Sequence, residues 1–269
     1  DEDVSQISEI IPDAKIAVST SPSNNGIIRR YTFDSFILGK SNELAYAASQ
    51  AVSSNPGNAY NPLFIYAKVG LGKTHLLHAI GNELLSAGKN IHYTTTEEFT
   101  NEYIEAIRHG KTENFRNRYR HVDTLLLDDI QFLIGKEQTQ EGFFHTFNTL
   151  HLSGRQLVIS SDRTPKELTL LEDRIQSRLQ GGLTVDIQPP DYETRLLILK
   201  EKASKTGFVF TEEILEFLSE RLYNNIRELE GALNRVGAYA QLLDEDISID
   251  LAKRVISDAT NKKFNPKAS

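Results

Sequence analysis

Leu63-Phe64-Ile65-Tyr66-Ala67-Lys68-Val69-Gly70-Leu71-Gly72-Lys73-Thr74 is the stretch that decides the fold class of this 269-residue chain. Four apolar residues read as a buried strand, two glycines allow a tight turn, and the run from His75 through Leu76, Leu77 and Ile80 reads as an amphipathic helix. Strand, glycine-rich turn and helix in that order make a P-loop, where backbone N–H groups and a helix N-terminus face phosphate oxygens. Val69, Gly70, Leu71, Gly72, Lys73, Thr74 and His75 are therefore candidate ATP-binding residues. Lys73 would reach the β and γ phosphates, and the Thr74 hydroxyl would ligate Mg²⁺. Ala67 replaces the usual first glycine of the motif, a departure expected to weaken affinity or turnover. The alternative is an ordinary strand-turn-helix with a glycine-rich turn.

A second apolar run, Thr124-Leu125-Leu126-Leu127, ends in Asp128-Asp129. A P-loop enzyme needs a metal partner and a water-activating base at such a strand end. Asp128 takes the Mg²⁺ role, through water, and Asp129 polarises the attacking water, although Asp is a shorter base than Glu. Taken alone, an Asp pair at a strand end also serves as a cap or turn.

Around these motifs the chain alternates short apolar runs with longer amphipathic ones, the pattern of a parallel sheet flanked by helices. Strands are expected at 63–66, 90–94, 124–127, 157–160 and 182–187, with helices at 42–53, 74–86, 96–108 and 138–150. The fold class is thus α/β, a P-loop NTPase with a parallel sheet. Beyond Pro189 and Pro190 only helical periodicity remains, at 191–206, 211–222, 225–243 and 248–258, so a small all-helical domain follows. The expected division is a flexible linker at 1–30, an α/β nucleotide-binding domain at 31–188, a helical lid at 189–260 and a tail at 261–269.

Composition narrows the function classes. A net charge of −7 argues against general coating of DNA, which rests on Lys and Arg neutralising phosphates. A local exception is the stretch 108–120, where Arg108, Lys111, Arg116, Arg118 and Arg120 oppose only Glu113; it lines a nucleic-acid path or forms a solvated helix face. The absence of Cys excludes disulfides and Cys-ligated zinc, and no run reaches the roughly 18 apolar residues of a membrane span. A cytoplasmic location is the default expectation. With no Met, the sequence is expected to be a fragment of a longer protein.

Seven blocks in order make the chain resemble the DnaA family, the bacterial AAA+ initiators of chromosome replication, from about residue 31 to 258. They are Tyr31-Thr32-Phe33-Asp34-Ser35-Phe36, Asn61-Pro62-Leu63-Phe64-Ile65-Tyr66, Gly70-Leu71-Gly72-Lys73-Thr74-His75 and Leu127-Asp128-Asp129-Ile130-Gln131-Phe132. Phe143-Phe144-His145-Thr146-Phe147-Asn148, Leu171-Glu172-Asp173-Arg174-Ile175-Gln176-Ser177-Arg178 and Asn225-Ile226-Arg227-Glu228-Leu229-Glu230-Gly231-Ala232-Leu233 complete the set.

The resemblance implies an AAA+ fold with a helical lid and assigns roles by position. Asp162 matches sensor 1, or else caps a turn before Pro165. Arg178 matches the arginine finger that reaches a neighbouring subunit's ATP, or else pairs with Glu172 or Asp173 on the surface; Arg174 is a second interface residue. Arg227 matches sensor 2, or else pairs along its helix with Glu230. Ile37 and Leu38, within the segment 36–39, fall where the family holds adenine. Ile104, Lys136 and Thr139 fall where it grips single-stranded DNA, with core burial the alternative for Ile104. Gln138 stands where some members carry a basic residue, and both Ala67 and Lys68 stand where glycines are usual.

The function implied is an ATP-dependent initiator core that self-assembles into a helical homo-oligomer, binds and stretches single-stranded origin DNA, and resets by slow hydrolysis to ADP. Regulatory proteins are further expected partners. The family's helicase-recruiting N-terminal domain and its C-terminal reader of duplex DNA have no counterpart in this sequence. A docking paralogue with structural nucleotide and a helicase-loader ATPase are the rival readings; a metabolic P-loop kinase lacks an acceptor-substrate segment.

Overall fold

The computed structural model describes residues 25–223 and 225–263. Five parallel strands, β1 (Leu63–Tyr66), β2 (Ile91–Thr95), β3 (Thr124–Asp128), β4 (Gln156–Ser161) and β5 (Leu183–Asp186), lie in the order β2-β3-β4-β1-β5. β1, β3 and β4 are buried almost throughout because helices cover both faces of the sheet. The period of two then divides the strands between two cores. Leu63, Ile65, Leu126 and Val158 face one cluster, and Phe64, Leu125, Leu127, Leu157 and Ile159 face the other.

Helices α1 (Glu43–Ser54) and α2 (Lys73–Ser86) cover the first face; Val52, Leu76, Leu77 and Ile80 are fully buried there. The other face is covered by α3 (Thr96–Arg108), α4 (Thr112–Arg120), α5 (Glu137–Leu152) and α6 (Asp173–Gln180). Thr95 caps α3 with a reciprocal capping box to Glu98, which fixes where β2 ends and the helix begins. The short helix α4 falls in the stretch 108–120, where a helix face was one of two readings, and the short helix α6 was not expected. Both are strongly charged, and each anchors only two buried residues, Phe115 with Tyr119 and Ile175 with Leu179.

After the sheet come α7 (Tyr192–Ala203), α8 (Glu212–Arg221), α9 (Ile226–Leu243) and α10 (Ile249–Lys263). Their apolar faces meet in a separate cluster containing Leu199, Leu218, Ala232, Leu233, Val236 and Ala252. Ile37, from the segment ahead of α1, packs against this same cluster. Thr211 precedes α8 without a side-chain cap bond, whereas Ser248 Oγ accepts from Leu251 N–H at 3.2 Å. No helix among the described residues is long and apolar enough to cross a membrane.

Residues 1–24 of the expected linker, and 264–269 of the expected tail, lie outside the described residues. Residues 25–30 depart from a linker. Ile27 is fully buried against Gly81, where any Cβ would collide with it, and Asn25 O accepts from Tyr93 N–H at 3.1 Å. One apolar residue in a polar run was enough, because the slot that receives it is built by α2. Residues 261–263 likewise continue α10 rather than starting a tail.

Candidate functional site

In this sheet order β1 is flanked by β4 and β5, while the next strand in sequence lies at the far edge. The crossover leaves a crevice beyond the carboxyl end of β1, where open α/β sheets bind ligands. Residues 67–72 turn there. Gly70 and Gly72 have φ of 80° and 107°, conformations that admit glycine readily. Gly72 immediately precedes α2, so the loop delivers its N–H groups at a helix N-terminus.

Among the described residues only Asp129 and Asp244 combine positive φ with a side chain. Ala67 and Lys68 therefore replace glycines at positions where the backbone does not require them. Ala67 N–H donates to Ser161 O at 3.1 Å and its methyl is buried, which ties the start of the loop to β4. The expected weakening from these two replacements has no conformational basis in the loop.

Lys73 is 7% exposed, and its Nζ donates to Ala67 O at 2.9 Å across the loop it closes. Burial lowers its pKa, an effect opposed by the carboxylates of Asp129, Asp128 and Asp162. The ammonium thus lies near acidic groups with no direct ion pair among the described residues, free to exchange a carbonyl contact for phosphate oxygens. Thr74 Oγ1 donates to Asp128 Oδ2 at 2.7 Å. That contact joins the first residue after the lysine to the end of β3, as a shared Mg²⁺ site requires.

Asp128 is 3% exposed and accepts from three hydroxyls, those of Thr74, Tyr93 (3.0 Å) and Ser160. Ser160 also accepts Asp129 N–H at 2.8 Å, so one hydroxyl links the two acids. Asp129 has φ 60° and ψ 56°, a left-handed conformation that Asp tolerates better than most residues. This turn separates the two carboxylates: Asp128 stays beneath Thr74 while Asp129 lines the open cavity. Gln131 Nε2 donates to Asp129 Oδ1 at 3.1 Å, and its Oε1 accepts Asp162 N–H at 3.3 Å.

The cavity above the loop is walled by Ile37, Val69, Gly70, Gly72, Lys73, Thr74, His75, Asp129 and Arg227. Tyr31, Ser35, Phe36 and Asn42 add one side, and Ile198, Lys202, Ile226 and Glu230 add the other. Asn42 shapes the apolar segment, donating from Nδ2 to Ile37 O at 3.0 Å and accepting Gly39 N–H at 2.9 Å. His75 Nε2 donates to Thr32 O at 2.9 Å, and burial lowers its pKa to about 4, so the ring is neutral at pH 7. Ile226 N–H donates to Gly70 O at 3.0 Å, fastening the start of α9 to the P-loop.

Two of the expected nucleotide-binding residues keep their side chains out of the cavity. Leu38 is 52% exposed and does not line the cavity, because its neighbour Ile37 is the residue turned toward the lid cluster. Leu71 is buried in the sheet core at 1% exposure, so its side chain anchors the loop from below.

A family model described as the bacterial DnaA ATPase domain matches residues 27–186, over half of the sequence. The chain belongs to the bacterial DnaA family. The chromosomal replication initiator protein DnaA of Chloroflexus aggregans is 57% identical over 231 residues, 85% of this chain and 48% of the relative. The chain spans about half the length of the curated DnaA relatives it matches. Domain III of the Thermotoga maritima initiator DnaA superposes with a TM-score of 0.81 at 42% identity, over 85% of this chain and 96% of that one. A DnaA structure described as bound to AMPPCP and single-stranded DNA has a TM-score of 0.72 at 43% identity, covering 77% of this chain and 65% of that one.

Of the DnaA positions Asp162, Arg174, Arg178 and Arg227, only Arg227 lines the cavity. Asp162 is held in a bidentate ion pair by Arg163, at 2.7 and 2.8 Å, and this contact lowers its pKa. It does not line the cavity. Arg178 is exposed on α6, and the ion pairs that would have made it ordinary are absent among the described residues: Glu172 pairs with Arg174 instead. Arg174 also lies over the Phe144 ring, 4.4 Å from its centroid. Arg227 is likewise exposed without an ion pair among the described residues, since Glu230 pairs with Lys202.

The DnaA positions assigned to DNA are divided by burial. Ile104 and Lys136 are partly exposed, but Thr139 is 2% exposed inside the first turn of α5 and cannot offer its hydroxyl to a strand in this conformation. In the basic stretch, Arg118 pairs with Glu102 at 3.1 Å and Arg120 reaches Thr146 at 3.4 Å. Arg108, Lys111 and Arg116 remain exposed. Tyr93 and Ser160, which grip the buried acid, were missed in the sequence. The only local signal was that each lies at or near the carboxyl end of a strand beside the acidic one.

Proposed function

We propose that this chain is the ATP-dependent core of a replication initiator, a cytoplasmic switch that assembles with its own copies on single-stranded origin DNA. The observation that carries the proposal is the Thr74–Asp128 contact beneath a glycine-turned loop whose buried lysine rests on a loop carbonyl.

In this scheme the N–H groups of residues 70–74 and the Lys73 ammonium hold the β and γ phosphates. Thr74 and, through water, Asp128 hold Mg²⁺, which when bound neutralises charge on the phosphoryl oxygens. Asp129 faces the cavity and orients the attacking water. Ile37 supports adenine, and Arg227 carries the state of the nucleotide to the lid at 189–260. Asp162 serves as sensor 1 once freed from Arg163. Hydrolysis is slow and resets the assembly.

Arg178, exposed and unpaired, reaches the ATP of the next protomer and makes assembly depend on the triphosphate. Ile104 and Lys136 contact the DNA strand, with Thr139 supporting the turn from inside. The resemblance to the DnaA described with AMPPCP and single-stranded DNA supports both ligand classes. A docking paralogue drew its support from Ala67 and Lys68, which the loop accommodates.

Sedimentation with single-stranded DNA and either ADP or a non-hydrolysable ATP analogue tests the switch. Large assemblies should form only with the triphosphate and vanish in Arg178→Ala, while Lys73→Ala should lose nucleotide binding altogether. Monomers under both nucleotides would refute assembly by this core, and normal binding by Lys73→Ala would refute the P-loop assignment.

A further inference from the structure

We propose that Tyr93 is a positioning residue for the metal site, acting through Asp128; this rests on the nucleotide and Mg²⁺ site proposed above. Tyr93 projects from β2, the strand paired to β3, and its hydroxyl donates to Asp128 Oδ2 at 3.0 Å. That oxygen is the same one that Thr74 Oγ1 contacts at 2.7 Å. Ser160 holds only Oδ1. Two fixed donors on different oxygens, Tyr93 and Ser160, therefore define the plane of the carboxylate independently of Thr74, whose hydroxyl must also serve the cation. Residues that hydrogen-bond a metal's carboxylate orient it and raise the site's affinity.

The tyrosine is itself held in place from three directions. Its ring lies 4.1 Å from the His78 ring, its N–H donates to Asn25 O at 3.1 Å, and Gly26 packs so closely that a Cβ there would lie 2.8 Å from Tyr93 O. His78 is 1% exposed, and its Nδ1 accepts Ile28 N–H at 3.4 Å. A neutral ring in that position adds no positive charge beside the cation. The segment 25–28, ahead of the first block that resembles the family, thus braces the side chain that sets the acid's orientation.

The bland alternative is that Asp128 merely satisfies a half-buried phenol, in which case removing the hydroxyl would leave metal binding unchanged. ATP binding by calorimetry in EDTA and across a Mg²⁺ series separates the two, using the parent, Tyr93→Phe, Asp128→Asn and the double variant. Tyr93→Phe keeps the ring against His78, and its affinity in EDTA should equal the parent's. Its Mg²⁺ midpoint should rise roughly 10- to 100-fold. In the Asp128→Asn background the same change should add no further shift, because the coupling runs through that carboxylate. An unmoved Mg²⁺ midpoint, or an equal loss with and without metal, would overturn the positioning role. A parent whose ATP affinity ignores Mg²⁺ would instead refute the metal site itself, and this inference with it.

Discussion

Replacing Gly70 with Ala tests whether the lid is fastened to the P-loop as the structure indicates. Gly70 has φ +80°, and a Cβ there would lie 3.0 Å from Asn225 Oδ1 and 3.1 Å from Asn225 Cβ. Asn225 is the cap of α9, its Oδ1 accepting Glu228 N–H at 2.8 Å, and the next residue donates to Gly70 O. The methyl group therefore strains the loop and displaces the cap of the helix that carries Arg227. A left-handed alanine costs roughly 1–2 kcal/mol and loss of an Asn cap about 1 kcal/mol. If loop and lid part when no nucleotide is bound, both costs fall on the nucleotide-bound state alone. ATP affinity should then fall by about 30- to 150-fold, from a total of about 2–3 kcal/mol. Calorimetric titration reads the affinity, and thermal melting without nucleotide should change far less. Adding Asn225→Gly removes the collision and keeps the left-handed strain, so it should recover part of the loss. Unchanged ATP affinity in Gly70→Ala would refute the fastening, as would a loss that Asn225→Gly fails to relieve.

Stability should fall as the solution is acidified from pH 6.5 toward pH 4. Burial lowers His75, His78 and His92 from 6.5 to about 4, so the unfolded chain binds protons in that window that the folded chain refuses. Their contribution is complete above pH 6.5 and disappears as the pH drops through the folded values; a melting midpoint indifferent to pH over this range would contradict the burial of these rings. Asp129→Asn keeps a residue suited to the left-handed turn, so ATP affinity should hold while single-turnover phosphate release drops by roughly 100-fold or more. Retained hydrolysis would remove Asp129 as the base.

Contiguous features were legible in the sequence. The apolar run 63–66, the glycines at 70 and 72 and the Lys73–Thr74 pair share one local unit, so spacing alone reveals strand, turn and helix. The acidic end of β3 was legible beside the P-loop, because an Asp pair at a strand end taken alone also serves as a cap or turn. Tertiary structure decided whatever depends on a partner distant in sequence. Asp128 and Asp129 look equivalent as neighbours, and only the left-handed turn and Ser160, thirty-odd residues away, send one beneath Thr74 and the other into the cavity. Ile27 reads as linker until Gly81 opens a slot for it, and Thr139 reads as surface until α5 turns it inward. Arg178 was singled out by its motif, and the fold adds that Glu172, its expected surface partner, pairs with Arg174 instead. Sequence patterns report periodicity along the chain, whereas burial and hydrogen-bond choice are competitions among groups that meet only after folding.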